Sequence, residues 1–134
     1  MKNNKKLEDI KTLKSEIYRS KLLLDISRKI ASIKNLSEIL WTIVEFVTKN
    51  VDADRGTLFL NDEETNELYS RVAQGDLTRE IRILNTVGIA GGIFQSQVGE
   101  IIHDVYSDER FNKDVDQETG YKTKNMICSP VRTV

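Results

Sequence analysis

Apolar residues recur at helical spacing through the first quarter of the chain. Residues 5–33 contain neither Gly nor Pro, and their apolar side chains return every three, four or seven positions. Ile10, Ile17 and Leu24 occupy one heptad position, and Leu13 begins the other. The pattern predicts a long amphipathic helix. Its partly polar seam is suited to packing against the same helix of a second copy of the chain in a coiled coil.

The pattern continues with a second helix and then alternates at β spacing. Asn35 or Ser37 is a suitable N-cap for a helix that ends near Asn50. The segment GTLFLNDEETNELYSRVAQG predicts an antiparallel hairpin from about Arg55 to Ala73, because two β-prone runs flank a polar connection.

Shorter elements fill the rest of the chain. We expect a third strand at residues 80–84, a short Gly-rich helix in VGIAGGIFQSQ and an extended segment in GEIIHDV. Pro130 suits an edge position in the final run MICSPVRTV. The order predicts an α+β domain in which helices pack on one face of an antiparallel sheet.

Composition narrows the classes of function. The formal net charge of -1 gives no field that would attract nucleic acid. No apolar run is long enough to span a bilayer, and the N-terminus lacks the apolar core of a signal peptide. A single cysteine excludes an internal disulfide and fits a reducing compartment. We therefore expect a soluble, cytoplasmic protein without nucleic-acid binding or membrane insertion.

Few residues are suited to catalysis. His103 is the only histidine and lies in an apolar extended run without a nucleophile nearby. Cys128 alternates with Ile127 and Ser129, as a small buried apolar residue does in a strand. Acidic residues lack the spacing of a calcium loop. We expect no catalytic residue, no metal and no cofactor.

The stretch from Ser107 to Val131, SDERFNKDVDQETGYKTKNMICSPV, carries regularly spaced polar side chains before an apolar strand. Asp116, Thr119 and Thr123 step by three and four residues, so one helix would place them on one face. Residues 107–125, here called the lid segment, are predicted either to cover a ligand pocket or to form a capped, solvated surface helix.

Glycines mark the entry to the predicted short helix. Gly88, Gly91 and Gly92 surround Ile89 and Ala90, and free amides at a helix start can hold a phosphate. Close packing of helix on sheet explains the same glycines equally well.

Several segments in order resemble a known family. ADRGTLFLND, NTVGIAGGIFQSQ and the stretch with RFN, VD and TGY-KTKN together resemble the cyclic-nucleotide-binding type of GAF domain, found in phosphodiesterases and in cyanobacterial adenylyl cyclases, with the cyclase type the nearer. The resemblance spans about residues 22–134. It implies a regulatory, non-enzymatic module that binds a cyclic nucleotide beneath the lid segment and passes occupancy to an output domain, such as a nucleotide cyclase, in a longer protein.

The resemblance also implies roles for individual residues. Backbone amides of Ile89 and Ala90 would meet the cyclic phosphate, with Asn112 nearby. The remaining candidates would reach the sugar and base: Arg55, Thr57, Asp116, Thr119 and Thr123.

Two departures from the family pattern shape the expectation. Arg55-Gly56-Thr57 resembles cAMP-binding members, and Ala73-Gln74 replaces an aromatic and an acid of some cGMP binders, so cAMP is favoured over cGMP. The family's last strands and C-terminal helix have no counterpart before Val134. We expect residues 1–33 to form a signalling and dimerisation helix and 34–134 a GAF domain lacking its C-terminal strands and helix.

Two alternatives remain open. The module could serve as a GAF dimerisation and relay domain without a cyclic-nucleotide ligand. Haem or bilin binding would require a placed histidine or cysteine, for which only His103 and Cys128 are present, whereas methionine sulfoxide reduction is excluded because it needs a cysteine pair.

Overall fold

The chain divides into two compact units, Met1–Gly56 and Thr57–Val134. The computed structural model describes residues 2–74 and 80–132, with the backbone alone described at 2–4, 72–73 and 118–119. The predicted boundary between residues 33 and 34 falls in the short connection between the first two helices and stays a prediction.

The first unit consists of two helices. Helix α1 spans Lys2–Ala31, and its seam residues are 43–57% exposed: Leu7, Ile10, Leu13, Ile17 and Leu24. Helix α2 spans Leu36–Asn50 and contacts α1. The side chain of Asn35 accepts the Ser37 N–H at 2.8 Å, so the predicted cap is confirmed.

The second unit begins with a three-stranded antiparallel sheet in the order β1-β2-β3. Its strands are β1 at Thr57–Asp62, β2 at Glu67–Ala73 and β3 at Arg82–Leu84. The carboxylate of Asp62 accepts the Glu64 and Thr65 amides at 3.0 and 3.3 Å, which stabilises the hairpin turn. The predicted hairpin and third strand are confirmed.

Short elements complete the second unit. Helix α3 spans Gly88–Ser96, β4 spans Glu100–Ile102, a 3₁₀ helix spans Val105–Ser107, α4 spans Asp114–Thr119 and β5 spans Met126–Cys128. Strands β4 and β5 pair antiparallel. Pro130 lies beyond β5, where its missing N–H costs no ladder bond.

The core of this unit lies around α3 and β4. Ile89, Ile93, Ile102 and Val105 form its buried centre, and three partly buried side chains pack against them: Phe111, Met126 and Cys128. Burial raises the pKa of the Cys128 thiol, as expected for a packing residue rather than a reactive one. The antiparallel sheets, the helices and the long N-terminal helix confirm the expected α+β class.

None of the helices in the described residues combines the length and apolar character that crossing a bilayer requires.

Candidate functional site

A buried carboxylate lies in the middle of the lid segment. Asp116 is 7% exposed and accepts three hydrogen bonds. Its Oδ2 accepts the Tyr106 hydroxyl at 2.9 Å and the Thr123 N–H at 2.7 Å, and its Oδ1 accepts the Thr123 hydroxyl at 2.7 Å. A buried carboxylate loses its hydrogen bonds to water. The donors from Tyr106 and Thr123 replace those bonds around Asp116.

The predicted single helical face is wrong in one respect. Helix α4 ends at Thr119, and Gly120 adopts a left-handed φ of +65° that terminates it. The chain then turns back, so Thr123 reaches Asp116 from outside the helix. The backbone of Thr119 forms the last residue of α4, and its side chain lies outside the described residues.

Tyr106 is the functional candidate that sequence reasoning missed. Its ring centroid lies 5.4 Å from that of Phe111, and the Nζ atoms of Lys113 and Lys122 lie 5.4 and 5.7 Å from the Tyr106 centroid. The hydrogen bond to Asp116 raises the pKa of the Tyr106 phenol. The sequence offered one signal, a tyrosine within a polar stretch. A tyrosine hydroxyl usually forms a hydrogen bond when its ring is buried.

A surface groove of about 430 Å³ adjoins Tyr106 and Thr123. The groove is open to solvent, since five of its six lining residues are exposed. Residues from β4 onward form one wall and the end of the lid segment forms the other: His103, Asp104, Tyr106, Lys122, Thr123 and Lys124. The Ser107 hydroxyl donates to Asp104 at 2.6 Å and is the main reason that the pKa of Asp104 is lowered.

The start of α3 has the geometry of an amide cradle. The Gly91 N–H reaches the Val87 carbonyl at 3.2 Å, and helical geometry leaves the amides of the three preceding residues without an acceptor inside the helix. Val87 provides no side-chain cap. Ile89 buries its side chain in the core and is 5% exposed, so the backbone amide is the group it can offer a ligand.

Close packing explains Gly91 of the short helix. A Cβ on Gly91 would lie 2.9 Å from the carbonyl carbon of Thr86, a distance that real Cβ atoms do not show. A Cβ on Gly92 would lie 3.3 Å from Nη1 of Arg110, the end of a flexible side chain. The structure therefore supports the packing interpretation for Gly91.

Arg110 joins the lid segment to β4. Its guanidinium contacts Glu100 at 2.7 Å and Asp108 at 2.8 Å. The paired guanidinium lowers the pKa of Asp108 to about 2 and lowers that of Glu100. Because two carboxylates already balance its charge, Arg110 is poorly placed to serve as an anion clamp.

Three other predicted residues lie outside helix α4, which carries Asp116: Asn112, Thr57 and Arg55. The Oδ1 of exposed Asn112 accepts the Asp114 N–H at 2.9 Å. Thr57 is the exposed first residue of β1 and pairs with Ala73. Arg55 lies two residues before β1, so its predicted position on the strand is wrong, and it belongs to the first unit. Among the eight predicted residues, a direct contact joins Asp116 to Thr123.

Residues 35–133 match the family model described as GAF domain. Over 125 residues the chain is 38% identical to a probable 3′,5′-cyclic phosphodiesterase, pde-5, of Caenorhabditis elegans, covering 84% of this chain and 17% of that protein. It is 29% identical over 133 residues to the dual 3′,5′-cyclic-AMP and -GMP phosphodiesterase 11 of Drosophila melanogaster, covering 87% of this chain and 9% of the relative. The chain thus spans under one fifth of the length of these relatives.

Solved structures agree on the fold. The GAF domain from a phosphoenolpyruvate-protein phosphotransferase of Coxiella burnetii matches with a TM-score of 0.75 at 19% identity, over 84% of this chain and 68% of that one. The corresponding domain from Acinetobacter matches with a TM-score of 0.64 at 20% identity, over 70% and 61%.

The expected resemblance is thereby confirmed, since the family model covers most of the chain and a relative above 30% identity covers 84% of it. The chain belongs to the GAF domain family.

Proposed function

We propose that this chain is a regulatory module that binds a cyclic nucleotide beneath the lid segment and passes occupancy to an output domain in a longer protein. cAMP is favoured over cGMP. The module itself performs no catalysis. The proposal is supported by similarity to phosphodiesterases whose names specify cyclic nucleotides, one of them dual for cAMP and cGMP.

The observation that carries the proposal is the burial of Asp116. A carboxylate that is 7% exposed is costly to bury unless hydrogen-bond donors surround it, and the lid segment and Tyr106 provide such donors around Asp116. The sugar hydroxyl of a nucleotide is a donor of the kind that Asp116 now receives from Thr123 and Tyr106. The lid segment thus holds an acceptor suited to such a ligand.

The start of α3 supports a place for the phosphate. Amides of Ile89 and Ala90 face no acceptor within the helix, and the positive end of the helix dipole favours an anion. A cyclic phosphate carries a single negative charge, so backbone donors suffice without Arg110. Asn112 is proposed to lie near this group.

The purine preference rests on the sequence. Thr57 is exposed at the start of β1 and offers a hydroxyl for the base edge. Arg55 and Thr119 are proposed to contact the base and the sugar, and both roles stay predictions. A nucleotide cyclase as the output domain also stays a prediction.

Calorimetric titration of the full chain tests the proposal. We expect cAMP to bind more tightly than cGMP, and 5′-AMP, the ring-opened control, to bind most weakly because its phosphate is not tied to the 3′ oxygen and is not held in the cyclic geometry. In parallel NMR spectra, cAMP should shift the amide signals of Ile89 and Ala90. Absence of heat and of shifts with both cyclic nucleotides would contradict the proposal.

Thr57→Val tests the proposed contact between the Thr57 hydroxyl and the purine. Valine keeps the shape and the β propensity but removes the hydroxyl, so folding should be unchanged. We expect cAMP affinity to fall about three- to tenfold, the worth of one neutral hydrogen bond, and the ratio of cAMP to cGMP affinity to shrink. An unchanged ratio would remove Thr57 from the base-reading site.

A second candidate function has an observation of its own. The exposed seam of α1 suits a helix from a second copy, which favours a homodimer that relays signals with or without a nucleotide. The two functions are compatible, and they separate experimentally because Thr57 and the α1 seam belong to different units.

A further inference from the structure

We propose that Tyr106 acts as a latch for the lid segment: the hydrogen bond from its hydroxyl to Asp116 holds residues 113–123 in the closed position and has to break before they open. For the nucleotide step the inference rests on the proposed function, because a ligand that bonds to Asp116 competes with this hydroxyl for the carboxylate. The latch itself requires no ligand.

The backbone of Tyr106 is anchored in the core rather than in the lid segment. Its neighbour Val105 is fully buried at 0% exposure and belongs to the core cluster of α3 and β4. The Val105 N–H also donates at 3.1 Å to the carbonyl of Lys124, which lies just beyond residues 113–123. Tyr106 is therefore expected to keep its position when residues 113–123 move, as a latch requires.

The three bonds to Asp116 have different origins. Both bonds from Thr123 form within the lid segment, and opening of the segment exposes them to water. The bond from Tyr106 comes from outside that segment, so it is the bond that opening has to break. A carboxylate has about four lone-pair sites. With three of them occupied, a ligand donor gains full access to Asp116 only after the phenol leaves.

The ring of Tyr106 contributes separately from its hydroxyl. Lys113 lies just before α4 and Lys122 lies beyond it, and both ammonium groups lie over this ring at 5.4 and 5.7 Å. Phe111 packs beside it. These contacts hold the flanks of the lid segment and survive removal of the hydroxyl. Tyr106→Phe therefore tests the latch bond alone.

Hydrogen exchange of the full chain without nucleotide is the primary test. A hydrogen bond to a charged acceptor changes an equilibrium constant by about tenfold or more. We therefore expect the Thr123 amide to exchange at least about tenfold faster in Tyr106→Phe than in the wild type. Amides of the β1-β2 hairpin should keep their wild-type rates. Tyr18→Phe is the matched control, since it removes an exposed hydroxyl from α1 and should change neither region.

The outcomes separate the latch from the proposed function. Unchanged exchange at Thr123, or equal acceleration in the hairpin, would overturn the latch whatever the nucleotide does. Selective acceleration supports it even if the wild-type chain binds no cyclic nucleotide, in which case only the proposed function fails. If cAMP binds, its association should be at least about threefold faster in Tyr106→Phe, and a slower rate would show that the hydroxyl positions the ligand site instead.

Discussion

A buried carboxylate is stable where enough donors surround it, and Asp116 meets this condition through Tyr106 and Thr123. The sequence spacing predicted Asp116, Thr119 and Thr123 on one face of a helix, but Thr123 lies beyond the end of α4 and contacts Asp116 from the returning chain. Tyr106 escaped notice since no periodicity links it to Asp116. Its role depends on where the 3₁₀ helix places the hydroxyl.

The glycines of α3 provide a test at single residues. In a helix, Gly→Ala normally stabilises by up to about 1 kcal/mol. At Gly91 the new Cβ would meet backbone of the preceding turn at 2.9 Å, so we expect Gly91→Ala to lower the free energy of unfolding by about 1–3 kcal/mol. Urea denaturation measures this change.

Gly92→Ala is the matched control for that substitution. Its Cβ would meet the tip of the Arg110 side chain at 3.3 Å, and a flexible side chain can move aside. We expect a change within about 1 kcal/mol of the wild type. Equal losses for the two variants would contradict the close-approach explanation of Gly91.

At the scale of elements, the helices and strands followed from local signals. Asn35 capped α2, and Asp62 began the hairpin turn as Asx side chains do. The lid segment was the exception, because Gly120 stops α4 one residue after Thr119. Glycine adopts the left-handed conformation readily, so Gly120 was a visible helix stop in the sequence. The contact of Thr123 with Asp116 depends on the path of the returning chain, which the sequence did not reveal.

The ion pairs of Arg110 with Glu100 and Asp108, here called the clamp, predict that stability depends on pH. Arg110 lowers the pKa of Asp108 from 3.8 to about 2 in the folded chain. A depressed carboxyl pKa contributes stability above its unfolded value, and this contribution disappears as pH falls through the folded value. We expect the stability difference between the wild type and Asp108→Asn to shrink between about pH 4 and pH 2.

Chemical denaturation at a series of pH values measures this effect at low salt, since the clamp is exposed and is screened at high ionic strength. Arg110→Gln provides the control background. There, Asp108→Asn should change the pH profile less, because the guanidinium is gone and only the N–H of residue 110 still lowers the pKa of Asp108. A difference as large as in the wild-type background would assign the effect to another group.

At the scale of the whole molecule, the exposed seam of α1 predicts association. Ile10, Ile17 and Leu24 repeat every seven residues and are 43–56% exposed. Placing a charge in the seam of a two-stranded coiled coil buries it without a partner. We expect Ile17→Glu to raise the dimer dissociation constant at least about tenfold, as analytical ultracentrifugation would show.

Ser15→Glu adds the same side chain to α1 outside the seam. This variant should associate like the wild type. A monomeric wild type, or equal weakening by both substitutions, would contradict dimerisation through α1.

Local pattern by itself determined the long N-terminal helix, the capped second helix, the hairpin and the α+β class, because periodicity and capping act over a few residues. The resemblance of ordered motifs indicated the GAF family, which the comparisons confirmed. Only the tertiary structure decided that Tyr106 holds Asp116, that Gly91 is required by a close approach and that Arg110 is occupied by two carboxylates. Each of these depends on how the chain folds back on itself in three dimensions, which hydrophobic periodicity does not encode.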